Sequence, residues 1–391
     1  GAIAYAFSSY FFIIIAAGHI WKFITLAYIP PTIAGIVLAY RGKYLLGGAL
    51  AALFGALQIM SNHVQMSYYF LFVILFIVGA YFEDAWRNKT LPKFFKASAV
   101  VFVAALIGVA ANLSNLYHTY TYSKETMRGK SELVETGDAA KQTSSGLDRD
   151  YITNWSYGIG ETWTLLVPNF KGGSSSAPLS QSETAMEKAN PVYSSLYNSF
   201  PQYFGDQPWT AGPVYVGSFV LFLFVLGCFI VKGPLKWALL GATFFSIVLA
   251  WGKNFMPLTD FFIDYIPMYN KFRAVSSILV IAEFTIPLLA IFALKHVLDE
   301  PGIWKKYKKA FGISLALTAG VALLLAVAPG SLGSDFVPAQ ETQMLQNAVD
   351  RQMIPANELS GILANLAEMR GALVSADALR SFIIICIGCA L

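Results

Sequence analysis

Charged side chains are scarce in this chain. Asp, Glu, Lys and Arg make up 13% of its 391 residues, and the mean hydropathy is +0.56. A soluble domain carries about 25% charged residues, so this deficit predicts that most of the surface faces lipid. The net charge of +4 does not indicate nucleic-acid binding, because the excess cations lie in short loops where anionic lipid headgroups would meet them.

Cysteine is also scarce, and histidine shows no metal-site spacing. The three cysteines, Cys228, Cys386 and Cys389, all lie in apolar runs. An odd number of cysteines inside predicted membrane spans argues against a disulfide framework and a cysteine metal site. The four histidines are scattered, and no nucleophilic triad or nucleotide-binding pattern is visible. The cysteines and histidines therefore predict no zinc site.

Long apolar runs are abundant. Several approach the roughly 20 residues that a helix needs to cross the hydrocarbon core of a bilayer. The runs cover residues 1–16, 23–40, 44–60, 67–82, 97–115, 214–231, 235–251, 272–294, 310–328 and 381–391. They predict an all-α integral membrane protein, a polytopic helical bundle with about ten membrane segments.

The distribution of Lys and Arg predicts the orientation of these segments. Short loops on one side hold most of the cations, whereas those on the other side hold only Lys22, Lys253, Lys271 and Arg273. Because basic short loops stay in the cytoplasm, the second side is predicted to be extracytoplasmic.

The same pattern predicts five regions. They are a five-span bundle at 1–115, an extracytoplasmic loop at 116–213, a four-span bundle at 214–328, extracytoplasmic amphipathic helices at 329–380, and the start of a truncated membrane helix at 381–391. The lack of an initial Met and the apolar run that stops at residue 391 predict a piece cut at both ends.

Candidate site residues lie mainly at the predicted outer side. His19 and Lys22 would share one face of a helical turn. They form either an interfacial belt with Trp21 or a site for a phosphate. Arg273 opens an apolar helix against the charge trend, so it would bind a lipid-linked phosphate or pair with Asp260 or Asp264. Those two carboxylates, four residues apart, suit a metal, a sugar hydroxyl or a solvated helix face.

Two glutamates are further candidates. Glu283 lies deep in a predicted span, where a carboxylate is costly. It is a proton relay or a neutral group bonded to a neighbouring helix. Glu161 lies between Trp155 and Trp163, where burial would raise its pKa and suit it to acid–base work. The aromatic rings suit either a sugar face or membrane anchoring, and Asp206 has a similar setting.

Four stretches resemble the YfhO family of bacterial membrane proteins in its Bacteroidetes form. They are GHIWKFITLAYIPPTIAGIVLAYRGKYLLGG (18–48), WSYGIGETWTLLVPNFKGG (155–173), QYFGDQPWTAGPVYVG (202–217) and NKFRAVSSILVIAEFTIPLL (270–289). The resemblance implies a GT-C-like fold in the bacterial cytoplasmic (inner) membrane. It implies a glycosyltransferase that moves a sugar from a polyprenyl-phosphate carrier to a cell-envelope glycopolymer.

The resemblance also implies roles for individual residues. Lys22 and Arg273 would bind the carrier phosphate, and His19 and Lys271 would be further substrate-binding residues. Glu161 with Trp155 and Trp163 would orient the sugar or acceptor. The principal base would precede Gly1, so the piece itself is expected to be inactive. A divalent cation is an open alternative, although no ligand set demands one. Two other functions remain open: a transporter or flippase of lipid-linked sugars, and a non-catalytic scaffold for envelope assembly.

Overall fold

The computed structural model describes residues 1–126, 129, 146–300, 302–333 and 335–391, so part of the predicted 116–213 segment lies outside the described residues. Within them, helices dominate and one isolated bridge, Pro178 to Pro201, is the sole β-type pairing. The α-helices are α1 (Ala2–Ala6), α2 (Ser9–Ala16), α3 (Ile20–Tyr40), α4 (Tyr44–Met60), α5 (Val64–Arg87), α6 (Leu91–Ala111), α7 (Leu113–Ser123), α8 (Arg149–Thr153), α9 (Glu183–Met186), α10 (Ser218–Ile230), α11 (Pro234–Ala250), α12 (Met256–Tyr265), α13 (Val280–Asp299), α14 (Ile303–Lys306), α15 (Lys308–Leu315), α16 (Val321–Val327), α17 (Ala339–Asp350) and α18 (Leu359–Ala390).

Shorter helical turns connect these elements. The 3-10 turns are Gly160–Leu165, Pro168–Lys171, Leu179–Gln181, Pro191–Tyr193, Gly252–Phe255, Tyr269–Lys271 and Val275–Leu279. A π-helical turn at Ala316–Gly320 joins α15 to α16.

Six helices in the described residues are long and apolar enough to cross a membrane. They are Ile20–Tyr40, Val64–Arg87, Leu91–Ala111, Val275–Asp299, Lys308–Val327 and Leu359–Ala390. A seventh span is present if α11 and the Gly252–Tyr265 segment, bent by 106° at their junction, count as one. Ala2–Ala16, Tyr44–Met60 and Ser218–Ile230 are shorter apolar helices. The chain is a multi-pass helical membrane protein, and the number of ten segments stays a prediction.

The chain divides into two compact units. Unit 1 contains Gly1–Ile13, Gly158–Ile230 and Ala290–Leu391, and unit 2 contains Ile14–Tyr157 and Val231–Leu289. Each unit is thus assembled from segments that are distant in the sequence.

Unit 2 is organised around close packing of α3 against α4. A Cβ placed on Gly35 would lie 2.5 Å from the backbone nitrogen of Ala51, and one on Gly47 would lie 2.5 Å from that of Ala39. Because lipid is as apolar as the helix surfaces, membrane helices associate through such backbone approaches between small residues. α4 also packs against α6, and α5 packs against α11.

The core of unit 1 joins the 179–200 region to the C-terminal helices. Buried Leu179, Tyr197 and Phe200 form one cluster with Ile362 and Leu366 of α18. The amide side chain of Asn365 strengthens this junction: its Oδ1 accepts from the Asn190 backbone N–H at 2.9 Å, and its Nδ2 donates to the Lys188 carbonyl at 2.8 Å.

A buried ion pair fixes α17 to α18 in unit 1. Arg370 is fully buried, and its guanidinium donates two hydrogen bonds to Glu341, at 2.5 and 2.9 Å. It also donates to the carbonyls of Phe336 and Pro201 and lies 5.0 Å from the ring centroid of Phe204. A buried charge is tolerated when paired and hydrogen-bonded in this way.

The structure has one helix, α18, where the sequence predicts a boundary between residues 380 and 381. The amphipathic pattern around Leu359 and Leu366 does form a helix, but this helix continues without a break through Ala390. Charged side chains lie between residues 368 and 380, just before the apolar run 381–391. The structure accommodates two of them inside unit 1, because Arg370 pairs with Glu341 and Asp377 pairs with Arg380. No proline interrupts the segment.

Candidate functional site

Basic side chains from three parts of the chain meet at one end of unit 2. We call this group the cationic cluster, and its members are His19, Lys22, His63 and Arg273. Two hydrogen bonds bring the segments together: Thr25 Oγ1 to Ser61 Oγ, at 2.9 Å, and Gln65 Nε2 to the Arg273 carbonyl, at 2.7 Å. The first joins the start of α3 to the end of α4, and the second joins the start of α5 to the segment that carries Arg273.

Two helices also begin at the cluster. His19 is the N-cap of α3 and His63 is the N-cap of α5, and no side chain caps the N-terminus of α3. The first N–H groups of a helix and its macrodipole carry a partial positive charge. The helix ends therefore add to the attraction that Lys22 and Arg273 exert on an anion.

Burial and the positive charges of the cluster lower the pKa values of its two histidines. Burial lowers the pKa of His19, and the positive charges of Lys22 and Arg273 lower it further. Burial lowers the pKa of His63 to about 4, with a further contribution from Lys22. At neutral pH both imidazoles are therefore neutral, so the positive charge of the cluster resides on the Lys and Arg side chains.

Arg273 is exposed and is held by aromatic side chains. Its Nη1 donates to the Tyr151 hydroxyl at 2.6 Å, and its guanidinium carbon lies 5.4 Å from the Tyr151 ring centroid and 5.8 Å from that of Trp155. Cation–π contact orients a guanidinium without neutralising its charge. Among the described residues no carboxylate lies within salt-bridge distance of Arg273, which leaves its charge available to a ligand.

Asp260 and Asp264 pair with Arg149, a partner that their spacing in the sequence does not indicate. The two nitrogens Nη1 and Nη2 of Arg149 lie 2.5 Å from a carboxylate oxygen of Asp260 and of Asp264, respectively. The expected alternative, a pair between these carboxylates and Arg273, is not what the structure contains. The ion pair instead anchors α8, which ends two residues before Trp155, to α12.

The backbone around Arg273 is conformationally strained. Met268 and Ala274 adopt left-handed conformations, with φ of 67° and 57°, on either side of the Tyr269–Lys271 turn and Arg273. Left-handed non-glycine residues cost about 1–3 kcal/mol and persist where the surroundings enforce them. Lys271 lies between Met268 and Ala274, and burial lowers its pKa.

Glu161 and Trp163 belong to unit 1, whereas the cationic cluster belongs to unit 2. Glu161 is 1% exposed, and its Oε1 accepts from the Tyr203 hydroxyl at 2.5 Å and from the Asp206 backbone N–H at 2.6 Å. The Gln207 amide donates to its Oε2 at 3.2 Å. Burial raises the pKa of Glu161, while these hydrogen bonds oppose the shift.

These contacts favour a positioning role for Glu161 over direct contact with a substrate. A general base must reach the proton that it abstracts, and this carboxyl group is enclosed by three donors. Asp206, in contrast, is exposed beside it. The catalytic role of Glu161 stays a prediction, as does the binding role of the half-buried Trp163.

Glu283 is fully buried near the start of α13. It lies in the candidate span Val275–Asp299, most of whose window is buried inside the protein. The carboxyl group is therefore surrounded by protein instead of lipid, as expected for an intramembrane ionisable side chain. Two residues along, Thr285 forms a buried hydroxyl–hydroxyl bond of 2.6 Å with Thr243 of α11.

The described residues contain no group of three or more His, Cys, Asp or Glu side chains that could hold a metal ion.

Comparison of the chain with family models, curated proteins and solved structures finds no match. The apolar helices therefore identify the chain as a multi-pass membrane protein. The cationic cluster is the part of it that suggests a chemical function.

Proposed function

We propose that the chain is a membrane glycosyltransferase with a GT-C-like fold in the bacterial inner membrane. It would transfer a sugar from a polyprenyl-phosphate carrier to a cell-envelope glycopolymer on the extracytoplasmic side. The observation that carries the proposal is the meeting of Lys22 and Arg273, more than 200 positions apart in the sequence, where two apolar helices begin.

The cluster fits the phosphate of a membrane-embedded carrier. The candidate spans α3 and α5 place their N-termini there, so an anion held at this level can remain attached to a chain in the bilayer. As the glycosidic bond breaks, its electron pair stays on the phosphate oxygen and the negative charge grows. Fixed cations and helix N-termini stabilise such developing charge, which lowers the barrier to transfer.

The aromatic side chains beside the cluster suit the sugar. Tyr151 and Trp155 present rings next to the Arg273 guanidinium. An aromatic ring offers an apolar face with one polar end, which matches the mixed surface of a pyranose. The neutral His19 imidazole adds a hydrogen-bonding group without adding repulsion to the two cations.

Binding of a polyprenyl-phosphate-sugar by the full-length protein tests the proposal. We expect Arg273→Ala and Lys22→Ala each to weaken binding by tenfold or more, because each removes a charge-assisted hydrogen bond worth about 1.5–3 kcal/mol. Arg41→Ala is the matched control, since Arg41 is exposed at the opposite end of α3. Equal binding by Arg273→Ala and Arg41→Ala would contradict the phosphate role. Turnover with and without EDTA decides whether a divalent cation takes part.

A transporter or flippase of lipid-linked sugars is the second candidate, and Glu283 is the observation that favours it. A buried carboxyl group in a candidate span is typical of proton relays. Proton-coupled flux in vesicles that is lost in Glu283→Gln, with no sugar transfer by the wild-type protein, would favour transport over transfer. Full complementation by variants lacking the cluster would instead favour a scaffold.

A further inference from the structure

An apolar groove of about 470 Å³ lies between α5 and α11, within unit 2. We call it the α5–α11 groove, and its lining includes Phe72, Phe76, Gly79, Trp237, Ala238 and Phe245. Its volume falls in the range of about 300–1,000 Å³ that is typical of small-molecule sites. Trp237 and Leu75, which also lines the groove, are exposed, so the groove opens onto the outside of the helix pair. In a multi-pass membrane protein that surface faces lipid.

The glycine at position 79 leaves part of this space open. A Cβ placed on Gly79 would meet no atom of the described residues within 4 Å. On the facing helix, a Cβ placed on Gly241 would lie 2.9 Å from the ring of Phe76. Phe76 therefore packs onto the backbone of α11, while the neighbouring position on α5 has no side chain. A larger apolar side chain at position 79 would project into the groove.

Packed aromatic rings separate the groove from the cationic cluster along α5. The Tyr68 ring centroid lies 5.1 Å from that of Phe272, which precedes the arginine of the cluster, and 5.3 Å from that of Phe72. The rings of Phe72, Phe245 and Phe262 lie 5.1, 5.9 and 5.6 Å from one another. These rings fill the stretch of α5 that leads from the cluster to the groove, so the headgroup of an occupant belongs at the other end.

The other end of the groove is basic. Lys236 precedes Trp237, and its ammonium group lies 4.4 Å from the centroid of the Trp237 ring. In the two segments at this end, residues 83–89 and 232–236, four Lys or Arg residues outnumber two carboxylates, and Glu83 already has an arginine partner. A Trp beside a Lys is typical of the level of the lipid headgroups. This end therefore attracts an anionic headgroup.

The groove spans about one leaflet of a bilayer. α11 begins at Pro234, and Phe245 lies eleven residues further along the helix. At about 1.5 Å per residue this distance is roughly 16 Å, which is about half of a hydrocarbon core of about 30 Å. A single lipid chain that starts at the headgroup level beside Lys236 therefore matches the groove in length.

We propose that the α5–α11 groove binds one phospholipid with an anionic headgroup. One acyl chain lies in the groove between Gly79 and Phe245, and the phosphate lies at the ammonium group of Lys236, beside Trp237. This site is independent of the proposed function, because the packed rings separate it from the cationic cluster. In the orientation that the loop charges predict, the lipid belongs to the cytoplasmic leaflet.

Two pairs of variants separate the role of the acyl chain from that of the headgroup. Gly79→Leu fills part of the groove. Its control is Gly312→Leu, since Gly312 is an exposed glycine of α15 whose added Cβ would also meet no atom of the described residues within 4 Å. Lys236→Gln removes the charge at the end of the groove. Its control is Lys305→Gln, because the Lys305 ammonium lies 5.6 Å from the ring centroid of the exposed Trp304.

Native mass spectrometry of the full chain in dodecyl maltoside micelles measures the binding. The probes are phosphatidylglycerol and phosphatidylcholine with the same acyl chains. We expect the wild type to bind one phosphatidylglycerol about fivefold more tightly than phosphatidylcholine, and Lys236→Gln to lose most of this preference. Gly79→Leu should bind both lipids about tenfold more weakly, because its side chain takes the place of two or more methylene groups. Both controls should bind like the wild type.

A phosphatidylglycerol with a photoactivatable diazirine in one acyl chain locates the site. We expect it to label α5 and α11 in the wild type and in Gly312→Leu, and to label them less in Gly79→Leu. If Gly79→Leu fails to fold, the labelled helices and the comparison of Lys236→Gln with Lys305→Gln decide the question.

Three results would overturn the proposal. The first is equal affinity and equal labelling for Gly79→Leu and Gly312→Leu. The second is equal binding of the two lipids by the wild type, or equal lipid preference in Lys236→Gln and Lys305→Gln. The third is displacement of the label by farnesyl phosphate at lower concentration than by phosphatidylglycerol, which would assign the groove to the chain of the carrier. The first two results leave the phosphate role of Lys22 and Arg273 unaffected, so their failure is distinguishable from that of the proposed function.

Discussion

Replacement of Gly47 by Ala tests the packing that holds α3 and α4 together. The added Cβ would lie 2.5 Å from the Ala39 backbone nitrogen and 2.6 Å from the Gly35 carbonyl oxygen. Ordinary van der Waals contact begins at 3.4 Å, so the shortfall is 3.4 − 2.5 = 0.9 Å. Both neighbours are backbone atoms of α3, and no side-chain rotation can relieve the clash.

The expected magnitude combines two opposing effects. Overpacking of this kind costs about 1–3 kcal/mol. Ala is a better helix former than Gly by about 1 kcal/mol, which offsets part of that cost. Gly79→Ala isolates the second effect, because Gly79 lies inside α5 and a Cβ placed on it would meet no atom within 4 Å. The difference between the two variants should therefore approach the packing cost alone, about 1–3 kcal/mol.

Equilibrium unfolding in mixed micelles of increasing SDS content, followed by circular dichroism, measures this difference. We expect Gly47→Ala to unfold at lower SDS than the wild type and Gly79→Ala at equal or higher SDS. Coincident curves for the two variants would refute the inference that α3 and α4 touch through their backbones.

Three further substitutions test the two ion pairs of Arg149 and Arg370 and the buried carboxyl group of Glu161. Arg149→Ala should leave α8 less protected in amide hydrogen exchange, since the tie to α12 is lost, and unchanged protection would refute that tie. Arg370→Met should destabilise the protein by about 3–5 kcal/mol, because Glu341 is left uncompensated, and adding Glu341→Gln should restore part of the loss in unfolding curves. The raised pKa of Glu161 means that the folded state holds its proton more tightly than the unfolded state, so this group lowers stability as pH rises above the ordinary carboxyl range near 4.3. The pH dependence of unfolding should therefore be flatter in Glu161→Gln, and identical slopes would contradict the shift.

Apolar run length anticipated much of the fold. The predicted run 44–60 coincides with Tyr44–Met60, and the run 23–40 falls within Ile20–Tyr40. These predictions succeed because hydrophobicity alone distinguishes a lipid-facing helix from a loop. They lose accuracy where charges occur inside a helix. Arg370 and Asp377 resemble a polar boundary in the sequence, whereas each has an ionic partner in the structure.

The sequence singles out candidate residues by type but does not identify their partners. Lys22 and Arg273 stood out because they break the charge trend of the loops. The structure adds His63, which gave no sequence signal because a histidine before an apolar helix is ordinary. It also adds Arg149, whose carboxylate partners lie 111 and 115 positions further along the chain. Such pairing depends on the packing of distant segments, which single-residue chemistry does not reveal.

The order of synthesis has a consequence for unit 1. Its core needs Tyr197 and Phe200 on one side and α18 on the other, and the ribosome produces α18 only after some 160 further residues. The apolar side chains of the 179–200 region therefore remain uncovered while the intervening helices enter the bilayer. Nascent chains stalled before residue 359 should accordingly be recognised by chaperones and quality-control proteases, because the surface that α18 later covers is still open.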